Sequence, residues 1–238
     1  MFLGSNGFPF GSATIQRQIQ IGKALKEAGF LIAVICNKGS NTKAIAKREK
    51  ILVNGYYQSI EYFYSSLCSY RPANYLKRNL HKLIGSLIEP ILILYFRIFK
   101  NARYIFNNSM NLKQLKYYYF ISRIFRMELI YDYVEFVSSL KNRDKTKISD
   151  LNGSFDFQFI KYIDKLIIIS NFLENHVINI AAEIPRIMIP PIIDFSYFNT
   201  IKPVDVNTPY FLFCGSASYT DIIKFIIKSF YEYPKYLY

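Results

Sequence analysis

Three short stretches of the chain carry residue types that could do chemistry. The first, Gly4-Ser5-Asn6-Gly7-Phe8-Pro9-Phe10-Gly11-Ser12, stands between an apolar segment and a helical pattern. Glycine exposes backbone N–H groups without side-chain bulk, and at a helix N-terminus such groups hold phosphate. Gly7, Gly11 and Ser12 are the candidates for that contact. The second stretch, Tyr131-Asp132-Tyr133-Val134-Glu135, puts the carboxylates of Asp132 and Glu135 at the end of an apolar run. The third is the small-residue loop at Gly215 and Ser216, just after the apolar run 210–214. Metal chemistry is not indicated: His81 and His176 have no ligand spacing with each other or with Cys36, Cys68 or Cys214.

These residues need elements to hold them. Met1-Phe2-Leu3 reads as a strand, and the spacing predicts a helix over 13–28, with Ile15 and Ile19 buried and Gly29 as its stop. The continuous apolar run 30–36 suits a parallel strand covered on both faces. Together these make a βαβ unit. A helix over 71–88 follows, with Leu76, Leu80, Leu83, Ile84, Leu87 and Ile88 on one side and Lys77, Arg78, His81 and Lys82 on another. Further strands are expected at 102–106, 129–134, 166–169 and 186–189, and further helices at 110–125 and 155–163. Segment 141–153 reads as a polar loop. Asn171 and Glu174 are spaced as a capping box for another helix.

The expected fold class is α/β: a Rossmann-like parallel sheet with helices on both faces, spanning 1–194. Segment 195–209, with Pro203 and Pro209, reads as a linker. Residues 210–238 then look like the first βα unit of a second Rossmann-like domain. One strand and one helix cannot bury a core of their own, so the chain reads as a fragment or a truncated gene product.

Composition narrows the function classes. With 51% hydrophobic and 20% charged residues, the 238-residue chain is not disordered. Three scattered Cys read as reduced thiols rather than a disulfide framework. The net charge of +13 and 18% aromatic content would suit nucleic acid, and a basic nucleic-acid-binding protein is one alternative reading. The basic residues are spread along the sequence, however, and a surface that meets anionic lipid fits them better. No secretory signal pattern opens the sequence, and the run Leu83 to Phe96 is too short and too broken by Glu89-Pro90 to span a bilayer. The expectation is a cytoplasmic protein, peripheral at the inner face of the cytoplasmic membrane. Lys77, Arg78 and Lys82 are its membrane-facing candidates.

The order of these pieces resembles the nucleotide-sugar glycosyltransferases of family 4, which have the two-domain GT-B fold. Three segments carry the resemblance. Gly4 to Thr14, with Gly22-Lys23-Ala24-Leu25 and Gly29, is similar to the family's glycine loop and first helix. Leu166-Ile167-Ile168-Ile169-Ser170-Asn171-Phe172-Leu173, followed by Ile189-Pro190-Pro191-Ile192-Ile193-Asp194, is similar to its IxxSxxL strand-helix and its IPNGxD entry to the second domain. Phe213-Cys214-Gly215-Ser216 is similar to the strand and glycine that open the donor domain.

The resemblance implies transfer of a sugar from a nucleotide-diphosphate sugar, used as co-substrate with no permanently bound cofactor, to a glycan or lipid-linked acceptor in bacterial surface polysaccharide synthesis. It implies retention of configuration without an obligatory metal. It also implies an acceptor pocket bordered by Asp132 and Glu135, and a donor-domain phosphate loop at Gly215 and Ser216. The family usually carries Arg after that glycine and Lys a few residues later; here stand Ser216 and Tyr219-Thr220-Asp221, while Pro191-Ile192 replaces Asn-Gly. The paired glutamates that hold the donor sugar lie beyond Tyr238, so the chain is expected to be inefficient alone. A second alternative is therefore a non-catalytic acceptor-binding or membrane-docking half that needs a separate donor domain.

Overall fold

The computed structural model describes residues 1–11, 13–137, 155–195, 212 and 220–232. The elements run β1 Phe2–Asn6, α1 Ala13–Glu27, β2 Ala33–Lys38, α2 Lys43–Arg48, β3 Asn54–Tyr57, β4 Ile60–Tyr64, α3 Tyr75–Phe99, β5 Tyr104–Asn107, α4 Leu112–Ile124 and β6 Glu128–Tyr133. After them come α5 Phe155–Gln158 with a 3₁₀ turn over Phe159–Tyr162, β7 Lys165–Ile168, α6 Asn171–Ala181, β8 Arg186–Met188 and α7 Thr220–Glu232. The expected polar loop, most of the linker and nearly all of 210–219 lie outside the described residues, as do Ser12, Gly215 and Ser216.

The eight strands form one sheet in the order β3-β4-β2-β1-β5-β6-β7-β8. All neighbours run parallel except β3 and β4. The apolar runs explain the parallel strands, because both faces are covered. In β1 and β2, Leu3 and Ile35 pack on one side of the sheet while Phe2, Val34 and Cys36 pack on the other. Burial pushes the Cys36 thiol up to about 12, which keeps it an inert core group. The antiparallel edge hairpin was not expected from the sequence. Its two-residue turn is Gln58-Ser59, both left-handed at φ 47° and 64°, where Gly or Asn would usually advertise such a turn.

Two other expectations change. Helix α6 is capped one residue earlier than the capping-box spacing suggests, with Leu173 N–H donating to Ser170 Oγ. Helix α3 is longer than expected and continues through Glu89-Pro90 for 25 residues. Its inner line is Gly85, Glu89, Ile93 and Phe96, whereas Leu76, Leu80, Leu83, Leu87 and Ile91 are each more than half exposed. The reason is close approach. A Cβ on Gly85 would lie 2.7 Å from the Asn37 carbonyl at the end of β2, so the face that touches the sheet must be the one carrying glycine.

Glu89 is the unusual member of that inner line. It is 2% exposed, accepts from Tyr118 Oη at 3.0 Å and from Asn37 Nδ2 at 3.4 Å, and its carboxyl is pushed up to about 7 by burial. A folded-state value above the unfolded one stabilises the fold below about pH 4.5, and that contribution fades as pH climbs to about 7. The loss should approach about 3 kcal/mol across this window. Urea midpoints measured from pH 4.5 to 7.5 should therefore fall for the native chain and stay flatter for Glu89→Gln; parallel curves would refute the assignment.

Candidate functional site

In open α/β sheets ligands bind outside the carboxyl ends of the strands, where the strand order reverses. Here that point lies between the parallel neighbours β1 and β5: the strands that follow β1 are added on one side, and those that follow β5 on the other. Gly4 of β1, at φ 78°, approaches β5 so closely that a Cβ would stand 2.7 Å from Asn107 Nδ2. Asn107 itself donates to Leu3 O and accepts from Ser109 N–H, which ties the chain beyond β5 to the centre of β1. Next to it, the buried Asn108 Nδ2 group has no hydrogen-bond partner among the described residues.

The loop from β1 to α1 is held from beneath. Phe8 is fully buried, and Tyr64 Oη donates to its carbonyl at 2.6 Å. Asn41 Nδ2 donates to Phe10 O at 3.3 Å. Gly7, at φ 87°, is required by a second close approach: a Cβ there would fall 1.9 Å from Ser40 Oγ. Gly7 and Gly11 thus sit at the carboxyl end of β1, in the loop that leads into a 15-residue helix.

Asp132 lies two strands away from β1, at the end of β6 and roughly 10 Å across the sheet. Its carboxylate is paired with Arg17, a residue that its position in the sequence alone does not connect to it. The Arg17 guanidinium of α1 donates to both its oxygens (Nε–Oδ2 3.0 Å, Nη2–Oδ1 3.1 Å). The same guanidinium donates to the carbonyls of Ile189 at 2.8 Å and Pro190 at 2.9 Å. Both side chains are 7% exposed. Burial raises the Asp132 carboxyl and Arg17 pulls it back down. The bidentate geometry is that of two charged groups. Asp132 therefore fixes the site's frame, while Glu135 lies half-buried in the loop just beyond. A sequence signal for Arg17 existed: it is the one charge in Ala13–Gly22.

The remaining candidates separate. Arg78 and Lys82 line a cavity of about 270 Å³ beside β2 and β4, and Lys77 is exposed outside it. His81 and His176 each hydrogen-bond a backbone carbonyl at 2.8 Å, Ser66 O and Asp156 O, as structural histidines do. Among the described residues no cluster of three metal-ligating side chains exists. A larger cavity of about 930 Å³ opens at the other end of the sheet, near Gly29, Leu31, Lys100 and Tyr104, away from the carboxyl ends of the parallel strands.

The fold matches solved proteins although the sequence does not: no protein-family model and no curated protein sequence matches this chain. It aligns with sucrose-phosphate synthase from Thermosynechococcus elongatus over 79% of its own length and 47% of that chain, with a TM-score of 0.52 and 12% identity. Anabaena HepE, solved with UDP and glucose, aligns over 82% of this chain and 44% of that one, with a TM-score of 0.46 and 19% identity. The chain thus spans about half the length of the solved structures it matches. Its α/β architecture is the one found in GT-B glycosyltransferases such as sucrose-phosphate synthase.

The Arg17 contacts set a stability test. Removing the cation would leave Asp132 as an uncompensated buried charge and free two carbonyls, at a cost of about 3–5 kcal/mol. Arg17→Leu should lower the urea midpoint accordingly, while Arg48→Leu, whose ion pair is exposed, should change it by less than about 1 kcal/mol.

Proposed function

We propose that this chain is the acceptor-side half of a nucleotide-sugar glycosyltransferase, serving transfer to a glycan or lipid-linked acceptor in bacterial surface polysaccharide synthesis. One observation carries the reading. On a fold shared with GT-B enzymes, a glycine loop pinned by buried side chains stands at the strand-order reversal and leads into a helix. Loss of a nucleoside diphosphate develops negative charge on phosphate oxygens, and backbone N–H groups at such a loop stabilise it without reorganising. Gly7 and Gly11 would serve there, with Ser12 beside them. In a retaining reaction the departing phosphate takes up the acceptor proton, so this half need not supply a strong base. Gly215 and Ser216 would belong to the facing donor half.

The test uses the protein as isolated from its cells, supplied with radiolabelled nucleotide sugars and membranes of the same cells as acceptor source. Label should pass to glycan or lipid, and Gly7→Ala should reduce transfer about tenfold or more through displacement of the loop. Folded protein that releases no nucleoside diphosphate from any nucleotide sugar would overturn the reading. If transfer appears only with a co-purifying second polypeptide, the chain is the non-catalytic half.

The same reading puts the protein at the inner face of the cytoplasmic membrane. Among the described residues no helix is long and apolar enough to cross a bilayer. Helix α3 instead presents its exposed line of Leu76, Leu80, Leu83, Leu87 and Ile91, flanked by exposed Lys77 and Lys82, which suits an interfacial helix on anionic lipid. Co-sedimentation with phosphatidylglycerol vesicles should be abolished by Leu80→Ser with Leu87→Ser, and unchanged sedimentation would remove the membrane contact.

A further inference from the structure

The cavity beside β2 and β4 has a composition that the glycine loop does not explain. Four cations reach it from three separate segments: Lys38 at the end of β2, Arg71 ahead of α3, and Arg78 and Lys82 in the first turns of α3. His81 also lines it. No Asp or Glu is among the lining residues, and none of the four cations forms an ion pair with a carboxylate among the described residues. They face one another instead. The Lys38 ammonium is pushed down first by partial burial and then by the charges of Lys82 and Arg71. Like charges gathered in one concavity without a counter-charge repel, and an anion that bridges them would relieve that repulsion.

The backbone around the cavity is fixed. A Cβ on Gly39 would lie 2.4 Å from Tyr70 N, so the loops after β2 and β4 are pressed together. His81 Nδ1 lies 2.8 Å from Ser66 O; a carbonyl can only accept, so Nδ1 carries a proton. At about 270 Å³ the space lies just under the roughly 300 Å³ where pockets for drug-sized ligands begin. It suits a small anionic group rather than a polynucleotide. Ser40, another lining residue, is the one a Cβ on Gly7 would strike, so the cavity adjoins the glycine loop.

We infer that this cavity is a binding site for the phosphate group of a phosphate ester or diphosphate, held by Lys38, Arg71, Arg78 and Lys82 next to the glycine loop. Arg71 and Arg78 supply planar forks of donors and the two lysines supply point charges, a set that matches several oxygens of a polyanion. Its assignment to the acceptor of a sugar transfer rests on the function proposed above; the binding of phosphate does not.

Pyrophosphate titrated calorimetrically into the full chain at low ionic strength tests it. Saturable binding is expected, weakened about tenfold by Arg71→Gln or Lys82→Gln and unaffected by Lys47→Gln on the exposed side of α2. Affinity should fall as salt is raised. Absence of saturable binding, or equal affinity in all three variants, overturns the inference. Phosphatidylglycerol vesicles then separate the sources of the phosphate. Release of vesicle-bound protein by pyrophosphate, and by Arg71→Gln, identifies a lipid headgroup as the ligand. Vesicle binding that ignores both, alongside the expected pyrophosphate affinity, identifies a soluble phosphate ester. Pyrophosphate binding without sugar transfer would leave the site standing and remove only its assignment to a transferase acceptor.

Discussion

The arrangement of the site depends on a single guanidinium. Arg17 stands at the start of the second turn of the helix that follows the glycine loop, and its donors are divided between Asp132 of β6 and the carbonyls of Ile189 and Pro190 after β8. One side chain thereby joins the loop at the centre of the sheet to two segments of its far half. Lys23, further along the same helix, reaches Asp194 at 2.8 Å and extends the tie. A buried ion pair adds little net stability compared with a well-packed apolar pair, but it tolerates few alternative geometries. Its effect here is to fix where α1 begins, and so where the loop's backbone N–H groups lie.

Much of the fold is legible in the sequence because parallel strands buried on both faces are written as unbroken apolar runs. Leu166-Ile167-Ile168 shows this directly, with Leu166 and Ile168 in one core and Ile167 in the other. The edge hairpin is hidden for a local reason: Gln58 and Ser59 adopt left-handed backbone without the glycine or asparagine that normally marks it. Helix α3 misleads in another way. Its most regular leucine line faces outward, and the face on the sheet is built from Gly85, Glu89, Ile93 and Phe96, a set whose mean hydropathy conceals its burial. Periodicity finds a helix, but close approach decides which side of it is inside.

The site is less legible than the fold. The glycine loop can be read from residue types because its close approaches, at Gly4 and Gly7, leave no room for a side chain. Arg17 and the Lys38–Arg71 pair cannot be read in the same way, since each matters through a neighbour far away in sequence. Asp132 shows the converse. A carboxylate at a strand's end is noticed from its position, but its pairing with Arg17, 115 residues away in sequence, is not.

The two margins of the sheet have a consequence for the protein in a crowded cell. Among the described residues β3 contributes four residues and β8 three, and these two strands end the sheet. Strand edges of that length offer another chain only a few backbone hydrogen bonds, too few to template growth of a continuous sheet. An eight-stranded, largely apolar sheet would otherwise be a nucleus for polymerisation. Short margins leave few backbone groups open to such pairing.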